Sequence, residues 1–320
     1  MEKKSIPVAS LQNVLPPNLD RTYFDDAATN PFQPQAPAFE PVNAWWLAET
    51  ALLTYADEEF ARGQFERAGL GQVAFVSNAG SQCYLVEGRD FVIAAFRGTQ
   101  VPKPGATPDL VRGFEETVRD FLADVAFRFV EAGPGRFVHA GFKGALDSIW
   151  SDLEPRLLAH AHARRPIWMT GHSLGAALAT LAADRLRAVQ GLYVFGSPAV
   201  GDRAFANTFP VTAFRIVHHR DIVARVPPFG SRPDKGQADY VHVGVLKYID
   251  GEGRLRDEAE GTESLRGLTR EAIRSLFRLP LPARLAGLFD AAREPFDDHA
   301  PLYYALRAWN CYVDSRAVTQ

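Results

Sequence analysis

The chain has 320 residues, 47% of them hydrophobic, and a formal net charge of −3. Such a length and apolar content suit one large α/β domain or two small ones with a sizeable core. The near-neutral charge excludes the electrostatic footprint of a nucleic-acid binder, and no stretch is long and apolar enough to span a bilayer.

Residues 1–41 carry scattered prolines (Pro7, Pro16, Pro17, Pro31, Pro34, Pro37, Pro41) and few periodic apolar positions, which predicts an irregular arm wrapped on the body. The first ten residues start basic but contain no apolar core, so no secretory leader is expected there. Residence is therefore expected in the cytoplasm, or outside the cell after export by a route without an N-terminal signal. From residue 42 the apolar positions recur at helical spacing, predicting helices over about 42–55 and 57–68, with Trp45 and Trp46 as core. Residues 72–77 read as a strand, and 81–96 as a hairpin turning at Gly88-Arg89. The second arm, 91–96, is apolar throughout, as expected of a central strand. Residues 100–119 hold Pro102, Pro104 and Pro108, then a weakly amphipathic run; they are the candidate lid. A helix is predicted over 143–163 with Leu146, Ile149, Leu153 and Leu157 on one face.

Residues 166–170 read as a short buried strand, and 176–186 as a helix of small side chains. Between them, Gly171-His172-Ser173-Leu174-Gly175 fits G-x-S-x-G in the strand–turn–helix setting of a nucleophile elbow. A side chain at Gly171 or Gly175 would collide across such a turn. Strands at 192–195 and 213–217 follow, then a late edge hairpin formed by 240–246 with 247–250 and 254–255. Alternating strands and helices predict an α/β fold, a mostly parallel central sheet with helices on both faces. Residues 251–297 form an extended insertion, charged and then apolar, in which Arg266, Arg270, Arg274 and Arg278 recur every four residues. That stripe is expected to be a solvated helix face; the sharper alternative is a cationic face over 265–290 that meets anionic lipid. Cys83 and Cys311 lie far apart and are expected to be free thiols.

A serine hydroxyl needs a base, and the base needs a carboxylate to fix its tautomer. In α/β-hydrolases the order is serine, acid, histidine. After Ser173 come His218, His219, His242 and His299. His299 stands late, before Pro301, where a loop would present it. His218 and His219 end a strand, His242 alternates within one, and His172 is too close in sequence to turn back on Ser173. Asp221 lies just beyond the strand over 213–217, at the sheet edge where such folds place their sites. Asp202 is the competing acid, and Asp298 is read as support for a surface turn. The oxyanion needs two donors. Leu174, after Ser173, offers one N–H, and Thr99, at the end of Phe96-Arg97-Gly98-Thr99, offers the other. No cofactor or metal is called for.

In this order the residues resemble the class 3, or fungal-type, lipase family. The pieces are Asn43-Ala-Trp45 with Ala48-Glu49 and Tyr55; Phe96-Arg-Gly-Thr99; Asp120 to Asp124; Val138-His-Ala-Gly-Phe142; Gly171-His-Ser-Leu-Gly175; Phe195-Gly-Ser-Pro198 with Gly201-Asp202; Asp221 with Val226-Pro-Pro228; and His299 with Tyr303. The resemblance covers about residues 43–304. It implies an α/β-hydrolase fold in one domain over 42–320, a lid, and hydrolysis of carboxylic esters of acylglycerol or phospholipid type. It places the nucleophile at Ser173, the acid at Asp221, the base at His299, and the oxyanion donors at Thr99 and Leu174. The expected partner is a lipid or small ester. Phospholipase A-type hydrolysis, acyl transfer, and a catalytically silent lipid- or protein-binding fold are the alternatives.

Overall fold

The structure, a computed structural model, describes residues 1–98, 128–221, 223–225, 240–256 and 297–318. The candidate lid at 100–119, the arginine stripe, the 265–290 face and Thr99 lie outside the described residues.

Among the described residues, eight strands form the main sheet: β1 (Val73–Asn78), β2 (Ser81–Glu87), β3 (Val92–Phe96), β6 (Ile167–His172), β7 (Gly191–Phe195), β9 (Ala213–His218), β11 (Val245–Ile249) and β12 (Leu255–Arg256), in that spatial order. The five strands β3, β6, β7, β9 and β11 run parallel, while β1, β2 and β12 are antiparallel additions at the two sides. A smaller sheet orders β10 (Tyr240–Val241), β8 (Gly201–Asp202), β5 (Phe137–His139) and β4 (Phe129–Glu131). The predicted α/β architecture with a mostly parallel sheet is thus the one observed.

Period-two alternation sends successive side chains to opposite faces. Ile93, Ala95, Trp168, Tyr193, Phe195, Phe214 and Ile216 share one core. Val92, Ala94, Phe96, Ile167, Met169, Leu192 and Val194 share the other. Both faces are covered, which is why these strands read as unbroken apolar runs. The first core is closed by α2 (Pro41–Leu53), α3 (Glu58–Arg67) and the C-terminal helix α7 (Pro301–Val318). The second is closed by α4 (Ala140–His162) and α5 (Leu174–Leu186). Two further helices among the described residues are the short α1 (Leu11–Val14) and α6 (Arg203–Asn207).

Helix α2 starts at Pro41, where a missing N–H costs nothing, and is buried almost all round between sheet and α7. Trp45 and Trp46 are core residues, as predicted. The N-terminal arm does more than wrap the body. Tyr23, Phe24 and Phe32 enter the first core, and buried Glu49 pairs with Arg21 of the arm. The arm's start is tied to α7: Glu2 O accepts from Trp309 Nε1 at 2.9 Å, and Lys4 N–H donates to Asn310 Oδ1 at 2.7 Å. Cys83 and Cys311 are free and buried, as expected.

Two local expectations need correction. Helix α4 starts at Ala140, three residues early, because the His139 side chain caps it, Nδ1 accepting from Phe142 N–H at 3.2 Å. Residues 240–246 are not one strand arm. Tyr240–Val241 pairs with β8 in the small sheet, whereas Val245–Ile249 joins β9 in the main one. Between them Gly244 has φ +78°, and a Cβ there would lie 2.6 Å from Ala213 O, so the chain crosses between sheets at a position only glycine fills easily. The predicted hairpin survives as β11 with β12.

Candidate active site

The site gathers at the C-terminal ends of β3, β6, β7 and β9, the edge where parallel sheets leave helix N-termini and loops free. Strand β6 runs into Ser173, whose φ of 59° and ψ of −127° lie in a region L-residues avoid. Three contacts hold that conformation in place. Ser173 N–H donates to Phe195 O at 3.0 Å. A Cβ at Gly171 would lie 2.3 Å from Gly175 O, and one at Gly175 would lie 2.1 Å from Phe96 O. Strand and helix therefore approach closely enough to force the turn and lift the Ser173 side chain to a half-buried position. Leu174 is the first residue of α5, so its N–H has no acceptor within the helix and sits at the positive end of the helix dipole.

Asp221 stands just beyond β9 and is completely buried. Its Oδ1 accepts from Val223 N–H at 2.8 Å and Ala224 N–H at 3.4 Å. His299, in the turn before α7, donates through Nδ1 to both carboxylate oxygens, at 3.0 and 2.9 Å. Tyr304, one turn into α7, donates its hydroxyl to Asp221 Oδ2 at 2.5 Å and accepts from His218 N–H at 3.0 Å. Burial alone would raise the Asp221 pKa. The His299 charge and the His299 and Tyr304 hydrogen bonds more than offset it, so the carboxyl is held below its usual range. The Tyr304 hydroxyl is pushed well above the usual phenol range by burial and by the Asp221 charge, and so stays a donor.

With Nδ1 committed to Asp221, His299 has Nε2 left for other chemistry. Its ring lies 4.4 Å, centroid to centroid, from that of His172, the residue before Ser173. Among the described residues no hydrogen bond joins Ser173 Oγ to His299. Gly196 makes room for the pair. Its φ is +55°, and a Cβ there would lie 2.6 Å from Asp221 Oδ2 and 2.9 Å from His299 Nδ1.

The competing carboxylates have structural work. Asp202 caps α6, its Oδ1 accepting from Phe205 N–H at 2.8 Å. Asp298 accepts from Arg220 N–H at 3.0 Å, consistent with a role in the turn. Tyr303, named beside His299 in the resemblance, donates to Pro7 O at 3.2 Å, and it is Tyr304, not singled out from the sequence, that reaches Asp221. Gly196 and His172 were also missed. Gly196 left a trace in Phe195-Gly-Ser-Pro198; the role of His172 left none beyond its place in the elbow.

A serine at a strained strand–helix turn, with a buried carboxylate–imidazole pair at the same sheet edge, defines an α/β-hydrolase. The class 3 lipase family model matches residues 93–231. A lipase of Rhizopus niveus is 33% identical over 148 residues, covering 41% of this chain and 36% of that protein. A secreted mono- and diacylglycerol lipase of Fusarium solani is 39% identical over 128 residues, covering 36% of this chain and 38% of that one. The matched stretch thus spans about a third of the length of these curated relatives. The solved structure of Rhizomucor miehei triacylglyceride lipase superposes with a TM-score of 0.50 at 21% identity, covering 65% of this chain and 79% of that one, a likeness of fold. Over residues 93–231 the chain is thus similar to the class 3 lipase family. One expectation is overturned here. Cytoplasmic residence, or export without a signal, rested on the lack of an apolar run in the first ten residues; a relative that is named as secreted contradicts it, and it is withdrawn.

Proposed function

We propose that this protein hydrolyses carboxylic esters of lipids through an acyl-enzyme on Ser173. The single observation that carries the reading is the buried Asp221–His299 pair, at 2.9 Å, beside the strained Ser173 turn. In the proposed reaction Ser173 Oγ attacks the ester carbonyl carbon, and its proton passes to His299 Nε2. Asp221 stabilises the imidazolium. The carbonyl oxygen becomes an oxyanion held by the Leu174 N–H and a donor from Thr99. Collapse expels the alcohol, which takes the proton from His299. Water then attacks the acyl-enzyme by the same route and releases the fatty acid.

The names of the relatives support acylglycerols as substrates, and contact with a lipid surface goes with that class. The secreted relative supports an extracellular place of action. We further read residues 42–320 as one hydrolase domain with 1–41 as its arm. The test is hydrolysis of p-nitrophenyl butyrate and of a diacylglycerol emulsion by the parent and by Ser173→Ala. The variant should remain folded and lose both activities; turnover equal to the parent's would refute the reading.

A further inference from the structure

His172 is buried, and both of its ring nitrogens are engaged. Nε2 lies 2.7 Å from the backbone O of His299, and Nδ1 lies 2.9 Å from the Tyr55 hydroxyl. A carbonyl only accepts, so Nε2 carries the proton and donates. In a neutral ring Nδ1 must then accept, and the Tyr55 hydroxyl must donate. The protons can be arranged in one way only: Tyr55 O–H to Nδ1, then Nε2–H to the His299 carbonyl. Burial, and then the His299 charge, depress the His172 pKa well below the usual imidazole range, consistent with a neutral ring. The Tyr55 hydroxyl is itself lodged under Gly98, where a Cβ would lie 2.0 Å from it. A second imidazole acts on the same turn. His218 Nδ1 lies 3.1 Å from Asp298 O. Two consecutive carbonyls, those of residues 298 and 299, thus each face a buried histidine, one from the end of β6 and one from the end of β9.

We propose that His172, oriented by Tyr55, is a positioning residue that holds the turn carrying His299 by its backbone carbonyl and so fixes where the His299 ring stands beside Ser173. The proposal rests on the ester-hydrolase reading. Packing alone does not call for an imidazole here, since a phenyl ring of similar size would fill the space without two buried polar atoms to satisfy. The relay ties three pieces together: the strand end at Gly98, the elbow, and the turn of the base. A loss of register at any of them displaces the reacting groups, and a displacement of about 1 Å can cost about 100-fold in rate.

The test compares His172→Phe, His172→Gln and Tyr55→Phe with the parent, using p-nitrophenyl butyrate, with Ser173→Ala alongside. Glutamine can place an amide N–H near the position of Nε2. The expected result for His172→Phe is a kcat lower by about 100-fold with KM within about twofold, in a protein that still melts cooperatively. His172→Gln should recover at least about tenfold of that loss, and Tyr55→Phe should lower kcat by about fivefold at unchanged KM. Equal kcat in folded His172→Phe and parent overturns the proposal, and so does a His172→Gln no better than His172→Phe. If His172→Phe does not fold, Tyr55→Phe decides, and an unchanged kcat overturns the proposal. Should Ser173→Ala leave turnover intact, the ester-hydrolase reading fails instead. The relay is then judged by the downfield NMR resonance of the His299 Nδ1–H bonded to Asp221. It should move in His172→Phe, and an unmoved resonance overturns the proposal.

Discussion

Tyr304→Phe removes one oxygen atom from the centre of the site. That oxygen donates to Asp221 Oδ2 at 2.5 Å and accepts from His218 N–H at 3.0 Å. The substitution strips a buried carboxylate of one donor and leaves a buried amide without its acceptor. A hydrogen bond to a charged group contributes about 1.5–3 kcal/mol and a neutral one about 1 kcal/mol. Since His299, Val223 and Ala224 still donate to the carboxylate, we take a combined loss of about 2–3 kcal/mol at neutral pH. For a chain of this size that lowers Tm by about 5 °C. The pH dependence has a definite sign. Burial pushes the Asp221 pKa up, but the His299 charge and the donors pull it below the usual range. A depressed carboxylate contributes stability that is present above its unfolded pKa and lost as pH falls through its folded pKa. Without Tyr304 the folded pKa rises, so the stability deficit of the variant is largest at neutral pH and narrows on acidification. Thermal melts of parent and variant between pH 3 and 8 measure this. Equal Tm at pH 7, or a deficit that widens toward acid, would show that the Tyr304 hydroxyl does not stabilise the Asp221 carboxylate.

The other predictions concern neighbouring positions. Gly196→Ala places a Cβ where 2.6 Å separates it from Asp221 Oδ2 and demands a φ of +55° from an L-residue; kcat should fall about 100-fold with KM little changed, and steady-state kinetics equal to the parent's would contradict this. His139 has its pKa depressed by burial from 6.5 to about 4, so the folded protein loses stability as pH falls from about 6.5 toward 4, where the unfolded chain takes up the proton first. His139→Asn keeps an acceptor for capping α4 and should flatten that slope by up to about 3 kcal/mol; urea unfolding at both pH values with unchanged slopes would count against it.

Some of this site was legible because the constraint is local. Two glycines four residues apart, between an apolar run and a run of small helix formers, already require a tight strand–helix turn, and Gly171 and Gly175 are indeed in near contact across it. Apolar runs marked β3 and β6 because both of their faces are covered. Asp221 and His299 came from chain order combined with their positions at a strand end and before a helix. What escaped depends on contacts between distant segments. The Tyr304 bond to Asp221 spans 83 residues, and nothing in Tyr303-Tyr304 says which ring faces inward; the phase of α7 decides it. His172 was set aside because it cannot turn back on Ser173, yet its side chain points under the His299 turn, 127 residues away. The arm's aromatic residues lack periodicity, so their place in the core is set by the groove between α2, α3 and the sheet rather than by any pattern of their own.

In the proposed mechanism Ser173 is activated by His299 held on Asp221. A fluorophosphonate probe followed by peptide mass mapping tests it most directly. One adduct is expected, on Ser173, formed by the parent and at least about 1,000-fold more slowly by a folded His299→Ala variant. An adduct on another residue, or labelling of Ser173 at the same rate without the imidazole, would contradict it.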